Sequence, residues 1–128
     1  TLARRLRLAP SDSSLWLVAV RRDRLVGWLE LHRLPVARLR HVATLTIAVD
    51  ARARGQGVAG LLLERCYEWA LSVGVLKISL NVREGNRAAI SLYEREGFTL
   101  EGREQAQVLT EEGFEDNLIM AKFLAPLT

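Results

Sequence analysis

The chain has 128 residues, 49% of them hydrophobic, which suffices for one buried core but not for two ordinary domains, so we expect one domain over residues 1–128. The net charge of +3 comes from 18 Lys and Arg spread among 15 Asp and Glu, without a continuous basic stripe or zinc-ligand spacing, which argues against nucleic-acid and metal binding. No apolar stretch approaches the roughly 20 residues of a membrane helix and no apolar h-region follows the basic N-terminus, which favours a cytoplasmic protein without membrane contact.

The first half of the chain has the pattern of an antiparallel sheet. Two apolar, β-prone runs at residues 15–20 and 25–34 are separated by a polar tetrapeptide, which predicts a hairpin. After Pro35 a basic connection leads to residues 42–49, which are rich in β-branched side chains and predict a third strand. We expect these three strands to be antiparallel neighbours.

The hydrophobic period changes at Val58. Over residues 58–73 the apolar side chains recur on one arc opposite charged ones, which predicts an amphipathic helix that ends at Gly74. The arc consists of Val58, Leu62, Cys66, Trp69, Ala70 and Val73. Cys66 is the single cysteine, so it forms no internal disulfide, and its place on this arc predicts a buried structural thiol.

Further along the chain the elements alternate. Residues 76–82 predict a strand, and Asn86 is placed to cap a second helix that ends before Gly97. Residues 98–109 and 115–124 predict two more strands. A parallel crossover through the long helix, with antiparallel hairpins on either side, gives an α/β fold with a mixed, mostly antiparallel sheet.

Ligands of such sheets bind at the C-terminal ends of parallel strands, which places a site at residues 50–60. Gly55 and Gly57 permit positive φ and close approach of an anion to the unpaired amides of a helix N-terminus. Arg52 and Arg54 add positive charge and bidentate donors. The segment therefore predicts a phosphate site, and the plainer alternative is a tight turn into a helix.

A second interpretation of the same segment is a dinucleotide-binding fingerprint. Gly55, Gly57 and Gly60 satisfy G-x-G-x-x-G, and Glu84 could serve as the ribose-binding acid. In that fold the glycines follow the strand almost directly, whereas residues 50–54 intervene here, and hairpins replace the further β-α units. This alternative is therefore the weaker one.

Asn86 and Tyr93 are two helical turns apart and project to similar sides of the second helix. Each alone is explained as a helix cap or a core aromatic. Taken with the glycine-rich turn, however, residues 49–63 and 86–98 resemble the two central motifs of the GNAT superfamily of acetyl-CoA-dependent N-acyltransferases. The residues that match the two motifs are Arg54, Gly57, Ala59, Asn86, Ala89, Tyr93, Gly97 and Phe98.

The resemblance covers about residues 15–124. The C-terminal part looks like the branch of polyamine, amino-acid and ribosomal-protein acetyltransferases, on the strength of Glu101, Gly102, Gly113, Asp116 and Met120. It implies a central pair of parallel strands splayed apart for acetyl-CoA. It also implies direct acetyl transfer, without a metal or a covalent enzyme intermediate, to a primary amine of a small molecule, amino acid or peptide. A homodimer is a further expectation.

The resemblance also implies roles for single residues. Tyr93 is the acid that protonates the departing thiolate, as a phenol with an ordinary pKa near 10 can. The cofactor-binding residues are Ile47, Ala48, Val49, Arg54, Gly55, Gln56, Gly57, Val58, Ala59, Asn86 and Ala89. A backbone donor in the splayed gap would stabilise the oxyanion of the thioester carbonyl.

The residue at the position of the general base differs from that in part of the family. Peptide N-terminal acetyltransferases often have a glutamate five residues before the motif asparagine, and that position is Asn81, which cannot accept the proton. Glu30, which we also expect at the substrate site, and His41 are candidate substitutes, and a water chain is another. This departure favours small amines or amino acids over peptide termini.

The start of the chain also differs from the pattern of the family. The family normally has a strand and one or two helices before the hairpin, and residues 1–14 are too few to supply them. We therefore expect these N-terminal elements, which usually line the acceptor site, to be missing. A non-catalytic coenzyme A-binding sensor or partner module is the alternative function.

Overall fold

The structure is a computed structural model that describes residues 1–6 and 12–127. The elements in chain order are β1 (Leu2–Leu6), β2 (Ser14–Arg21), β3 (Arg24–Arg33), a 3-10 turn (Ala37–Leu39), β4 (Val42–Val49), a second 3-10 turn (Ala51–Ala53), α1 (Val58–Ser72), β5 (Lys77–Arg83), α2 (Arg87–Arg95), β6 (Thr99–Thr110) and β7 (Gly113–Phe123). The strands form one sheet in the order β1-β2-β3-β4-β5-β7-β6.

The predicted mixed sheet is confirmed. The hairpins β2-β3 and β6-β7 and the pairs β1-β2, β3-β4 and β5-β7 are antiparallel, whereas β4 and β5 are parallel. This parallel pair is short, because its register covers Val42↔Lys77, Ala43↔Ile78 and Thr44↔Ser79. Past Thr44 and Ser79 the described parts of the two strands are no longer paired, which leaves a gap in the middle of the sheet.

Both helices pack on one face of the sheet. The crossovers from β4 to β5 and from β5 to β6 place α1 and α2 on the same side, where the Tyr67 hydroxyl of α1 bonds Glu96 at the end of α2. The buried residues of α1 are Val58, Leu62, Leu63, Cys66 and Ala70. They join one core cluster with inward-facing strand residues such as Leu29, Leu31, Ile78 and Leu80. Because side chains alternate along strands, the residues between these point to the other face, which no described helix covers.

One expectation about the N-terminus is wrong. Residues 1–14 were expected to supply no strand before the hairpin, but Leu2–Leu6 forms β1 and pairs antiparallel with β2 from Leu2↔Val20 to Leu6↔Trp16. The segment LARRL has no local strand signal, since three polar or small residues interrupt its apolar ones. The segment becomes a strand because its backbone hydrogen-bonds to β2, a contact that the local sequence could not predict.

Candidate active site

One cavity of about 620 Å³ lies where the gap between β4 and β5 meets the start of α1 and the side of α2. The residues that line it are Ile47, Ala48, Val49, Ala53, Arg54, Gly55, Gly57, Val58, Ala59, Gly60, Asn86, Ala88, Ala89, Leu92, Tyr93 and Arg95. Its volume lies in the range of small-molecule sites, about 300–1,000 Å³. The cavity therefore joins the two sequence motifs, which are separated along the chain by the rest of α1 and by β5.

The edge of β4 that borders the gap offers backbone donors and acceptors. The Asp50 amide donates a 2.8 Å hydrogen bond to the Val26 carbonyl, so its backbone groups face β3. The backbone N–H and C=O groups of successive residues point to alternate sides of a strand. Those of Ile47 and Val49 consequently point away from β3 and into the gap. An extended ligand with amide groups could pair with them as an added strand does.

The N-terminus of α1 forms a second wall of the cavity. Gly57 is its N-cap with φ +80°, and Gly55 has φ +75°, both in the left-handed region that favours glycine. The first intrahelical bond runs from the Leu61 amide to the Gly57 carbonyl at 3.1 Å, so the amides of residues 58–60 have no partner within the helix. Gly57 has no side chain to cap this end of the helix, and the amides without a helical partner and the helix dipole favour an anion.

Gly27 on β3 sets the distance between α1 and the sheet. A Cβ at this buried position would lie 3.1 Å from the Ala48 carbonyl oxygen and 3.1 Å from Cγ1 of Val58. The absence of a side chain at residue 27 thus lets the first turn of α1 lie close to the site-bearing part of β4.

Two arginines at the rim of the cavity carry charge without a carboxylate partner. Arg52 pairs with Asp50 at 3.8 Å, but among the described residues no ion pair involves Arg54 or Arg95. Both side chains are solvent-exposed, and their guanidinium groups suit phosphate oxygens. Arg95 was not predicted from the sequence, although its spacing from Ala88 and Leu92 places all three on one stripe of α2.

Tyr93 lies at the inner wall of the cavity. Its side chain is 8% exposed and packs against Phe98, with ring centroids 5.7 Å apart. Burial raises the pKa of its phenol, which therefore stays protonated around neutral pH. At the start of α2 the Asn86 side-chain oxygen accepts a 3.3 Å hydrogen bond from the Ala89 amide, so the predicted cap is present, and no described residue accepts a hydrogen bond from the Asn86 Nδ2.

Three sequence-predicted residues do not line this cavity. Gln56 turns away from the cavity and bonds the Arg21 guanidinium and, at 3.4 Å, the Arg52 carbonyl. Glu30 is half-buried on β3 and does not line the cavity, but it pairs with Thr46 of β4, the strand that borders the gap. His41 precedes β4, at the end of the sheet away from the gap.

The weaker dinucleotide interpretation does not match this fold. Its parallel, doubly wound sheet would need further βαβ units, whereas β4-β5 is the parallel pair of the described sheet. Among the described residues, no group of three His, Cys, Asp or Glu could hold a metal ion. No helix in the described ranges is long and apolar enough to span a bilayer.

The sequence and the fold are similar to those of known proteins. The model of the acetyltransferase (GNAT) family matches residues 2–98. The L-amino acid N-acetyltransferase AaaT of Escherichia coli is 33% identical over 120 residues, 91% of this chain and 72% of that protein. The mycothiol acetyltransferase of Brachybacterium faecium is 35% identical over 103 residues, 80% of this chain but 31% of that protein. A GNAT-family acetyltransferase structure from Streptococcus pneumoniae has a TM-score of 0.83 and 31% identity, covering 91% of this chain and 70% of that one.

Proposed function

This chain belongs to the GNAT family of acetyltransferases, and we propose that it transfers the acetyl group of acetyl-CoA directly to a primary amine. The observation that carries the proposal is the continuity of the cavity, which joins the free amides of α1, the open edge of β4 and the Tyr93 side chain. Phosphate, amide and thioester groups follow one another in acetyl-CoA in the order that these three walls require.

Each wall has a part in binding. The amides at the start of α1, with Arg54 and Arg95 at the rim, would hold the diphosphate. The backbone groups of Ile47 and Val49 would pair with the amides of the pantetheine arm, and Ala89 of α2 would cover its apolar side. The thioester then lies in the gap between β4 and β5, where a backbone donor would stabilise the developing oxyanion.

The reaction needs a neutral amine beside the thioester and a proton for the leaving thiolate. Tyr93 supplies that proton, because its raised pKa keeps the phenol protonated at the pH of the reaction. Attack by the amine forms the C–N bond, and collapse of the tetrahedral intermediate breaks the C–S bond. Cys66 takes no part, since it is buried away from the cavity.

The acceptor is a small molecule, an amino acid or a peptide amine. Similarity to the L-amino acid N-acetyltransferase over most of this chain favours an amino acid. A homodimer and a cytoplasmic location remain predictions that accompany this function.

The test has two stages. Calorimetry with coenzyme A measures binding, and a thiol-release assay with acetyl-CoA measures transfer to amino acids, polyamines, aminoglycosides and N-terminal peptides. We expect binding together with amine-dependent thiol release for at least one class. Absence of coenzyme A binding would contradict the proposal, and binding without transfer to any amine would favour a non-catalytic coenzyme A-binding module.

A further inference from the structure

A buried amide joins three strands on the sheet face that lies opposite the helices. Asn117 of β7 is 9% exposed, and among the described residues it alone is both polar and buried. Its Nδ2 donates to Oδ1 of Asn81 on β5 at 2.9 Å and to Oε1 of Glu104 on β6 at 2.7 Å. The Glu104 side chain therefore leans across β7 towards β5, with one amide nitrogen between it and Asn81.

This cluster borders the gap in the sheet. Asn81 comes two residues after Ser79, where the pairing of β5 with β4 ends, so its backbone faces the opening. Leu80 and Val82 are buried against the helices, and alternation places Asn81 on the other face. Continuing the parallel register puts Thr46 of β4 at the same level across the gap. An amine that enters from the face without helices therefore passes Asn81, whose side chain is separated from the Glu104 carboxylate by the single amide nitrogen of Asn117.

The position of Glu104 is held by the irregular hairpin that follows it. Glu104 pairs with Asn117, but the next pair joins Val108 to Glu115, so three residues of β6 bulge opposite Asp116. The Asp116 carboxylate accepts a 2.9 Å hydrogen bond from the Ala106 amide, where φ is +51°. A bulge fixed in this way re-aims the neighbouring side chain, which is a common function of bulges beside active sites.

The Glu104 carboxylate is available to a cation. Nearby guanidinium groups are already paired, that of Arg83 with Glu115 at 2.9 Å and that of Arg103 with Asp116 at 2.8 Å. Within the described ranges no ion pair includes Glu104, and its Oε2 accepts no hydrogen bond from a described residue. This oxygen can therefore bind the ammonium form of an acceptor and take a proton from it.

We propose, as an extension of the function proposed above, that Glu104 is the general base that binds and deprotonates the acceptor amine. The ammonium transfers one proton to the Glu104 carboxylate, directly or through one water, and the neutral amine attacks the thioester carbon. The C–S bond breaks, the sulfur takes the Tyr93 proton, and the second proton of the attacking nitrogen returns to the Tyr93 phenolate. The net products are the N-acetyl amine, the thiol and one proton released from Glu104. Asn117 is the positioning residue for this base.

The experiment compares the intact chain with Glu104→Gln, Glu104→Ala and the control Glu111→Gln. Glu111 lies at the exposed tip of the same hairpin, so its substitution removes an equal charge far from the gap. The readouts are coenzyme A affinity, kcat and KM for the best amine of the panel, and the response of the alanine variant to added formate. For Glu104→Gln we expect kcat/KM for the amine to fall about 100-fold, a typical effect of losing a general base, with unchanged coenzyme A affinity.

Formate separates a base from a merely structural role, because a free carboxylate can replace the missing one but cannot repair a fold. We expect formate to restore part of the activity of Glu104→Ala and to leave the wild type unchanged. If the wild type releases thiol and Glu104→Gln matches it, or if formate has no effect on Glu104→Ala, the role of Glu104 is overturned while the proposed function stands. If the wild type transfers acetyl to no amine, both proposals are overturned.

Discussion

The Tyr67 hydroxyl on α1 donates a 2.9 Å hydrogen bond to a carboxylate oxygen of Glu96, the residue that caps the C-terminus of α2. The bond ties together the two helices that wall the cavity. Burial, followed by this bond and by the charge of Glu96, raises the pKa of Tyr67, which therefore stays a donor throughout the working pH range. The amine of Lys122 lies 4.4 Å from the centroid of the Tyr67 ring and adds a cation–π contact.

Replacing Tyr67 by Phe should lower the free energy of unfolding by about 1–2 kcal/mol, since a half-buried hydrogen bond to a carboxylate is lost. Tyr93→Phe is the matched control, because no described residue bonds the Tyr93 hydroxyl, and it should change stability by less than about 0.5 kcal/mol. Urea unfolding followed by circular dichroism measures both. Equal effects of the two substitutions would show that the hydrogen bond between the helices adds nothing to the free energy of unfolding.

Tyr93→Phe should instead act on catalysis. We expect kcat to fall about 100-fold, because the thiolate loses its proton donor, while coenzyme A affinity is unchanged. The protonated phenol is the active form, and burial raises its pKa, so its loss with rising pH begins above the ordinary value near 10. The wild-type rate should therefore show no decline from this group between pH 7 and about pH 10. A variant as fast as the wild type would remove Tyr93 from the mechanism.

Two glycines at the start of α1 should respond oppositely to alanine. Gly57 has φ +80°, so Gly57→Ala strains the backbone and should destabilise the protein by about 1–2 kcal/mol. Gly60 lies within the helix, and no atom of the described residues lies within 4 Å of a prospective Cβ, so Gly60→Ala should stabilise the protein by about 0.5–1 kcal/mol. Thermal and urea unfolding of the pair tests this, and a shift of the same sign in both would contradict the backbone argument.

The buried thiol predicts an alkaline loss of stability. Burial raises the pKa of Cys66 from 9.0 to about 12, so the unfolded chain releases this proton first as the pH rises. The contribution of this thiol to the free energy of unfolding is fully present below pH 9 and is lost between about pH 9 and pH 12. Between pH 9 and pH 10 the free energy of unfolding should drop by about 1 kcal/mol more in the wild type than in Cys66→Ala. Urea unfolding in the presence of a reductant measures the difference, and equal pH slopes would refute it.

The described elements from β2 to β7 could be predicted because their signals are local. The change of hydrophobic period at Val58, the cap at Asn86 and the glycines that end both helices each act within a few residues. Because these signals are local, they miss buried residues whose contacts come from elsewhere in the fold. Leu63 is fully buried although it lies outside the predicted arc of α1, because sheet and helix contacts widen the buried face beyond one stripe.

The sequence by itself determined the type and order of these elements and the two motifs that identify the family, since backbone conformation and helix capping depend on neighbouring residues. Tertiary structure decided that Leu2–Leu6 is a strand, that Arg95 reaches the cavity, and that Glu104 lies beside Asn81. The bonds of Asn117 to Glu104 and Asn81 span 13 and 36 positions of sequence. Such contacts depend on strand register and on a bulge, and because a shift of one residue turns a side chain to the other face, no local pattern specifies them.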